Sequence, residues 1–383
     1  MADVDSTRDD PYEPFRSAGH AVMDLGFGPF RLLTGYDDVR AAARDWRTFT
    51  SDTPFEVPIP PEHDLRPVRQ LPIECDPPDH SEYRSLVADR FSRSAVELHA
   101  ARLATVIDSI IEGALGRGVL DVIPDLGVPV VNAALAAALG RAEHEAEQWA
   151  GWGVHVFDSA DGGRTANDEL NAYLEQAVDA AIADPGDDFF GSLATARFRG
   201  RTLTRDEMLG FGNLVFAGGR DTVISSIACA VWHLANTPDD WRRLRADPDL
   251  IGPAVEEILR VGTPLPFIGR HATTAQLRGG AEFAEGDLVA LGFAAANRDP
   301  AVFDDPGACR IDRQPNRHIA FGHGPHTCLG SHLARMEIRV TVERLLALVG
   351  AVEPAEPARH RVFPIGDHLV PYTFDSVVVT LSR

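Results

Sequence analysis

A mainly α, α+β fold is predicted by three features of the chain. Apolar residues recur at helical spacing along most of its length, β signals are short and scattered, and 44% hydrophobic content is ample for a large core. Its 383 residues would allow two or three domains. No composition shift, internal repeat or long Pro/Gly linker marks a boundary, so the expectation is a frayed acidic stretch over residues 1–12 and one domain over 13–383.

The elements follow in order. Asp37–Trp46 reads as a helix, then a proline-rich stretch from Pro54 to Pro78 interrupts regular structure. Irregular segments of that length tend to be functional loops. Helical patterns then cover Asp79–Phe91, Ser94–Arg117, Pro129–Leu139, Glu143–Ser159 and Glu169–Ala183. Thr204–Thr237 is the longest, followed by Asp239–Ala246, Pro253–Val261 and Leu329–Leu348. The β signals lie at Gly28–Thr34, Asp287–Phe293 and Val377–Leu381.

Composition excludes several function classes. The net charge is −21 and the 36 basic residues are all arginine, which disfavours general binding to nucleic acid or anionic lipid. The first residues lack a signal peptide's charge and apolar core, and no apolar run reads as long enough to span a bilayer. The four cysteines, at 75, 229, 309 and 328, show no paired spacing. A reducing, cytoplasmic location is therefore expected, without membrane or disulfides.

The most informative segment is Phe321-Gly322-His323-Gly324-Pro325-His326-Thr327-Cys328-Leu329-Gly330. A glycine-rich loop carries one cysteine into a helix whose buried face is marked by Leu329, Leu333, Met336 and Val340. A helix start stabilises a thiolate, and Gly322, Gly324 and Gly330 would let the backbone pass beneath a flat cofactor. A single cysteine is ordinarily a small buried hydrophobe. His323, His326, Cys328 and His332 also invite a zinc reading, which would need His323 to fold back across the loop.

The pattern Phe-x-x-Gly-x-x-x-Cys-x-Gly, followed by Ser331-His332-Leu333-Ala334-Arg335, resembles the haem-binding loop of the cytochrome P-450 superfamily. Further motifs resemble that family in the expected order. Ala217-Gly218-Gly219-Arg220-Asp221-Thr222-Val223 is similar to its oxygen-activation helix, of the bacterial camphor-hydroxylase type. Two glycines inside a helix cost about 1 kcal/mol each relative to alanine. A Thr222 hydroxyl bonded to the Gly218 carbonyl would open a notch there, with the Asp221 carboxylate beside it to relay protons. Glu257-x-x-Arg260, by itself an ordinary helix-surface pair, resembles the family's buried Glu-x-x-Arg, with Arg313 in the place of its third member.

The resemblance runs from about residue 12 onward and implies the P-450 fold, with small sheets and a large helical body around a buried haem b. It implies Cys328 as thiolate ligand to iron, and Ala217, Gly218, Phe321, Gly322 and Gly330 beside the cofactor. His80, Arg84, Arg270 and His326 would hold the propionates, since guanidinium and imidazole groups suit carboxylates. Asp221 and Thr222 would be catalytic, and Glu257, Arg260 and Arg313 structural. A thiolate ligand favours O–O cleavage. The implied activity is insertion of one oxygen atom from O2 into a small, largely apolar terpenoid or aromatic substrate, with electrons from a separate ferredoxin and its reductase. A peroxide-driven peroxygenase and a haem-based gas or redox sensor are the rivals; the acid–alcohol pair argues against the first, the lack of an output domain against the second. Expected pocket residues are Leu214, Gly218, Pro266, Ile268 and Phe363. Arg66 and Arg69 are expected as solvated charges, and Arg90, Arg93, Arg335 and Arg339 as a docking patch for an acidic donor.

Overall fold

The computed structural model describes residues 10–57, 59, 66–152 and 163–383, without the side chains of 163–165. Eight helices and two β layers bear on the site. Helix α1 (Asp79–Ser85) is followed by a 3₁₀ turn at Ala88–Phe91, splitting the single helix expected there. The next expected helix is also divided, into Arg93–Glu97 and Ala100–Arg117. Helix α2 (Val128–Leu139) continues from a π turn at Ile123–Gly127, and α3 covers Glu143–Ala150. The expected continuation of α3 over 153–159 lies outside the described residues.

The long apolar segment divides into α4 (Arg205–Gly219) and α5 (Asp221–Asn236), broken at Arg220 with φ −108° and ψ −74°. Thr204 caps α4 by accepting from the Glu207 N–H, while the Glu207 carboxylate returns to the Thr204 N–H. Together α4 and α5 are long and apolar enough to cross a membrane by length and composition, contrary to the sequence expectation; 61% of their most apolar window is buried inside the fold. Helices α6 (Pro238–Ala246), α7 (Ile251–Gly262) and α8 (Ser331–Leu348) complete this layer.

Five strands form the larger sheet: β1 (His20–Asp24), β2 (Pro29–Leu33), β3 (Phe49–Thr50), β4 (Ile268–Ala272) and β5 (Leu288–Leu291), in the order β1-β2-β5-β4-β3. Only β2 and β5 pair in parallel. A hairpin of β6 (Arg359–Ile365) and β7 (His368–Ser376) turns at Gly366, whose φ of +54° suits glycine. Tyr12, placed in the stretch expected to fray, is instead 3% exposed and packs with Met23, Phe30 and Leu32.

Two polar junctions lock α7 and α5 into this frame. Glu257, with no side-chain exposure, accepts from Arg260 Nε and Nη2 and from Arg313 Nε, each at 2.8 Å. Arg260 also donates to the carbonyls of Asn297, Pro306 and Ala308, and Arg310 N–H donates to Glu257. The expected three-residue core thus gathers the whole 297–313 stretch around one carboxylate. Removing one partner of a buried pair strands the other charge at a cost of about 3–5 kcal/mol. Arg260→Met should therefore lower the urea midpoint by that equivalent or prevent folding.

His233 Nε2 lies 2.9 Å from Asp240 Oδ2, fastening α5 to α6. Burial opposes the imidazolium, but Asp240 and Cys309 outweigh it and push the His233 pKa up to about 10. A raised folded pKa gives stability that is full below the unfolded value near 6.5 and is lost as pH climbs toward 10. His233→Gln should consequently destabilise the protein at pH 6 and much less above pH 10 in urea titrations; an equal loss at both would contradict the charged pair.

Candidate haem-thiolate site

Asn297 receives the Ile319 N–H on Oδ1 at 2.7 Å and so fixes the chain as it enters the Cys328 loop. Gly322, at φ +71°, turns it, and the Cys328 N–H donates to the Phe321 carbonyl at 2.8 Å. Gly324 has a different reason from the expected one: at φ +76°, a Cβ there would lie 2.7 Å from the Ala43 carbonyl, so close packing on the neighbouring chain demands glycine. Helix α8 begins at Ser331, three residues beyond the cysteine. Burial pushes the Cys328 thiol up, while the Gly330 N–H hydrogen bond and the charges of Arg84 and Arg335 pull the other way. Desolvation wins, so an ionised sulfur here calls for a cation bound to it.

Around the same space stand four basic side chains. His80 and Arg84 project from α1, Arg270 from β4, and His326 from the loop. His80 and Arg270 are 2% and 3% exposed, and the His80 and His326 rings lie 4.2 Å apart. Among the described residues neither Arg84 nor Arg270 forms an ion pair, and no described atom bonds His80 Nδ1 or either His326 nitrogen. Burial, then the neighbouring arginines, push His80 down to about 4; burial followed by Arg270 pushes His326 far down. Burial alone lowers Arg270 to about 10, with Asp76 opposing. Buried donors without acceptors are costly. A ligand carrying two carboxylates would answer all four.

These groups line one cavity of about 1130 Å³, larger than the roughly 300–1,000 Å³ of an ordinary small-molecule site. It also takes in Leu214, Ala217, Gly218, Asp221, Thr222 and Ile268, together with Phe321, Gly322 and Gly330. The Thr222 hydroxyl donates to the Gly218 carbonyl at 3.0 Å, as the sequence predicts. The break falls two residues beyond Gly218, at Arg220, which is fully buried and donates from Nε to Asn132 Oδ1 at 3.0 Å and from Nη2 to the Trp149 carbonyl at 3.1 Å.

A family model described as cytochrome P450 matches residues 166–348. The cytochrome P450 monooxygenase PikC of Streptomyces venezuelae is 33% identical, with 88% of this chain and 83% of the relative covered. The chain belongs to the cytochrome P450 family. Vitamin D(3) 25-hydroxylase of Pseudonocardia autotrophica is 32% identical, over 85% of this chain and 82% of the relative. A solved carbohydrate-active P450 superposes with a TM-score of 0.93 at 34% identity, covering 98% of this chain and 99% of that one. The P450 fold is therefore shown, and with it a monooxygenase that binds haem b through a cysteine thiolate.

The residues of this P450 fit that group. The cavity joins a thiol to two imidazoles with unbonded nitrogens and to Arg84 and Arg270, which form no ion pair among the described residues although Arg270 Nη1 donates to the Gly269 carbonyl, and Gly218 leaves open space where a Cβ would stand. Among the described residues no three His, Cys, Asp or Glu side chains are close enough to hold a metal by themselves, which removes the geometry zinc would need.

Several expectations need correction. Pro266 and Phe363 are not among the described residues lining the cavity; Phe363 packs against Phe267 at 5.1 Å in a satellite core. Arg66 is no solvated charge: its side chain has no exposure and its Nη1 donates to Glu74 at 3.0 Å. Arg69 is partly exposed and paired with Asp52. In the arginine patch, Arg335 is paired with Glu256, Arg339 with Glu97 and Glu343, and Arg90 donates to the Ala138 and Asp187 carbonyls, leaving Arg93 as the patch's exposed member without a partner among the described residues.

Sequence reasoning missed Gln70, Glu337, His360 and Arg361 in the wall. Glu337, nine residues after Cys328, is 1% exposed, and burial pushes its carboxyl well above the usual range. Its place beside the apolar stripe of α8 was the available signal.

Arg270→Met should separate ligand binding from folding. Losing a charge-assisted hydrogen bond of about 1.5–3 kcal/mol should weaken haem retention roughly tenfold to a hundredfold, measured by haem transfer to apomyoglobin. Urea unfolding of the haem-free form should show no loss of stability, because the substitution removes a buried unpaired charge.

Proposed function

We propose that this P450 inserts one atom of O2 into a small, largely apolar organic substrate of the terpenoid or aromatic type, in the cytoplasm, with electrons from a separate ferredoxin and its reductase. The carrying observation is the Thr222–Gly218 hydrogen bond at the edge of the cavity that also contains Cys328. When bound, haem would supply the site at which O2 binds and is activated.

The chain supplies placement and protons. Cys328 would hold the iron, with Ala217, Gly218, Phe321, Gly322 and Gly330 beside the cofactor, while Arg84, Arg270, His80 and His326 would hold the propionates. The Thr222 hydroxyl can rotate from the Gly218 carbonyl toward the cavity, presenting its proton there. Asp221, the next residue back and only partly buried, can recharge it from solvent. Phe211, Leu214, Val215, Leu265, Phe267 and Ile268 give the wall its apolar character and support the substrate class. The peroxygenase reading remains disfavoured because a peroxide-driven enzyme has no need for the Asp221–Thr222 pair.

A second substrate reading is an oxygen-rich, sugar-like molecule. The solved carbohydrate-active neighbour motivates it, as do Gln70, Ser225, Ser226 and His360 in the same wall. A substrate library titrated against the haem Soret band discriminates the two: terpenoid and aromatic ligands should displace water from iron, and a response confined to sugars would establish the second reading.

Thr222→Ala tests the proton role. Haem content and substrate-induced spectral change should stay near the parent's. Product per reductant should fall by about a hundredfold, the low end of what positioned proton donors contribute, with peroxide taking up the difference. Unchanged coupling would reduce Thr222 to a helix residue.

A further inference from the structure

Glu256 and Glu257 are adjacent on α7, and each gathers a different part of the chain. Glu257 holds the 297–313 stretch. Glu256 holds the next one: Arg335 donates to it through Nε at 2.6 Å and Nη2 at 2.8 Å, and His318 Nε2 lies 2.9 Å from the same carboxylate. His318 Nδ1 accepts the Ala320 N–H, so Nε2 carries the proton and donates. The two residues that flank the Cys328 loop, one before it and one after, therefore meet on a single acid.

Arg335 makes a second contact. Its guanidinium carbon lies 4.3 Å from the centre of the Phe321 ring, within the range of a cation–π contact. The carbonyl of that same Phe321 receives the Cys328 N–H. A guanidinium fixed by two parallel bonds is planar and immobile, which a lysine ammonium cannot reproduce. Arg335 and Glu256 are about one-third exposed (33% and 30%), so the pair contributes little to global stability after solvent screening.

We propose that Arg335 is a positioning residue for the Cys328 loop rather than a docking residue: clamped by Glu256, it presses on Phe321 and holds the loop that presents the sulfur. The inference rests on Cys328 being the thiolate ligand. Arg335 acts through Phe321 and is not itself catalytic.

The test uses substrate-free holoprotein and reads thiolate retention: the fraction of the reduced carbon monoxide complex that keeps its red-shifted Soret band as urea rises through concentrations below unfolding. Arg335→Gln, Arg335→Lys and Glu256→Gln should each lose the red-shifted band severalfold more readily than the parent, and the Glu256→Gln/Arg335→Gln double variant no more readily than either single one. Their unfolding midpoints by far-UV circular dichroism should be unmoved. A through-space charge effect predicts otherwise, since removing the acid and removing the base would then act in opposite directions and the lysine variant would match the parent. Either of those results overturns the proposal, as does parental retention in all the variants, including the case where Arg335→Gln weakens only the apparent affinity for the electron donor. A parent protein without the red-shifted band would instead overturn the haem-thiolate assignment, so the two failures are distinguishable.

Discussion

The fully buried Glu257 carboxylate is the constraint on which the rest of the structure depends. It could not stay ionised without compensation, and Arg260, Arg313, the Arg310 N–H and Asn316 supply it from both sides of a long irregular stretch. That requirement converts a segment with little regular secondary structure into a fixed scaffold. Arg260 then bonds the Asn297 carbonyl, and the Asn297 side chain bonds the Ile319 N–H. The network thus reaches the mouth of the cysteine loop, where the neighbouring Glu256 takes over through His318 and Arg335.

The cavity shows the opposite economy. Arg84, Arg270, His80 and His326 converge without an ion pair among the described residues, a state that an apolar core would not tolerate and that a dicarboxylate ligand would relieve. Folding and cofactor binding are therefore linked. On the proposed reading, this interior cluster of donors meets its acceptors in the haem, and the proton path through Thr222 and Asp221 lies beside the helix break.

Much of this was legible in the sequence because chemistry concentrated it in short motifs. The Cys328 loop, the Glu257–Arg260–Arg313 core and the Thr222–Gly218 bond all stand where spacing and family resemblance put them. What escaped depends on contacts between distant residues. Arg66 sits in a proline-rich stretch that looks solvated, yet it pairs in the interior with Glu74, eight residues on, and stacks over Phe55. Arg335 and Arg339 lie on a helix with surface-compatible spacing, yet acids on other elements neutralise them. The break at Arg220 is held by Asn132 and Trp149, more than seventy residues earlier in the chain. The β6–β7 hairpin, interrupted by Pro364 and Pro371 and by register shifts, lacked the clean alternation that marks a strand.

The central claim is that Cys328 binds iron as a thiolate. The most direct measurement is the Soret band of the dithionite-reduced carbon monoxide complex, recorded for the parent and for Cys328→Ser. The account predicts the strongly red-shifted band of a thiolate ligand in the parent and its absence in the variant. An unshifted band in well-folded parent protein, or a red-shifted band that survives the loss of Cys328, would contradict it.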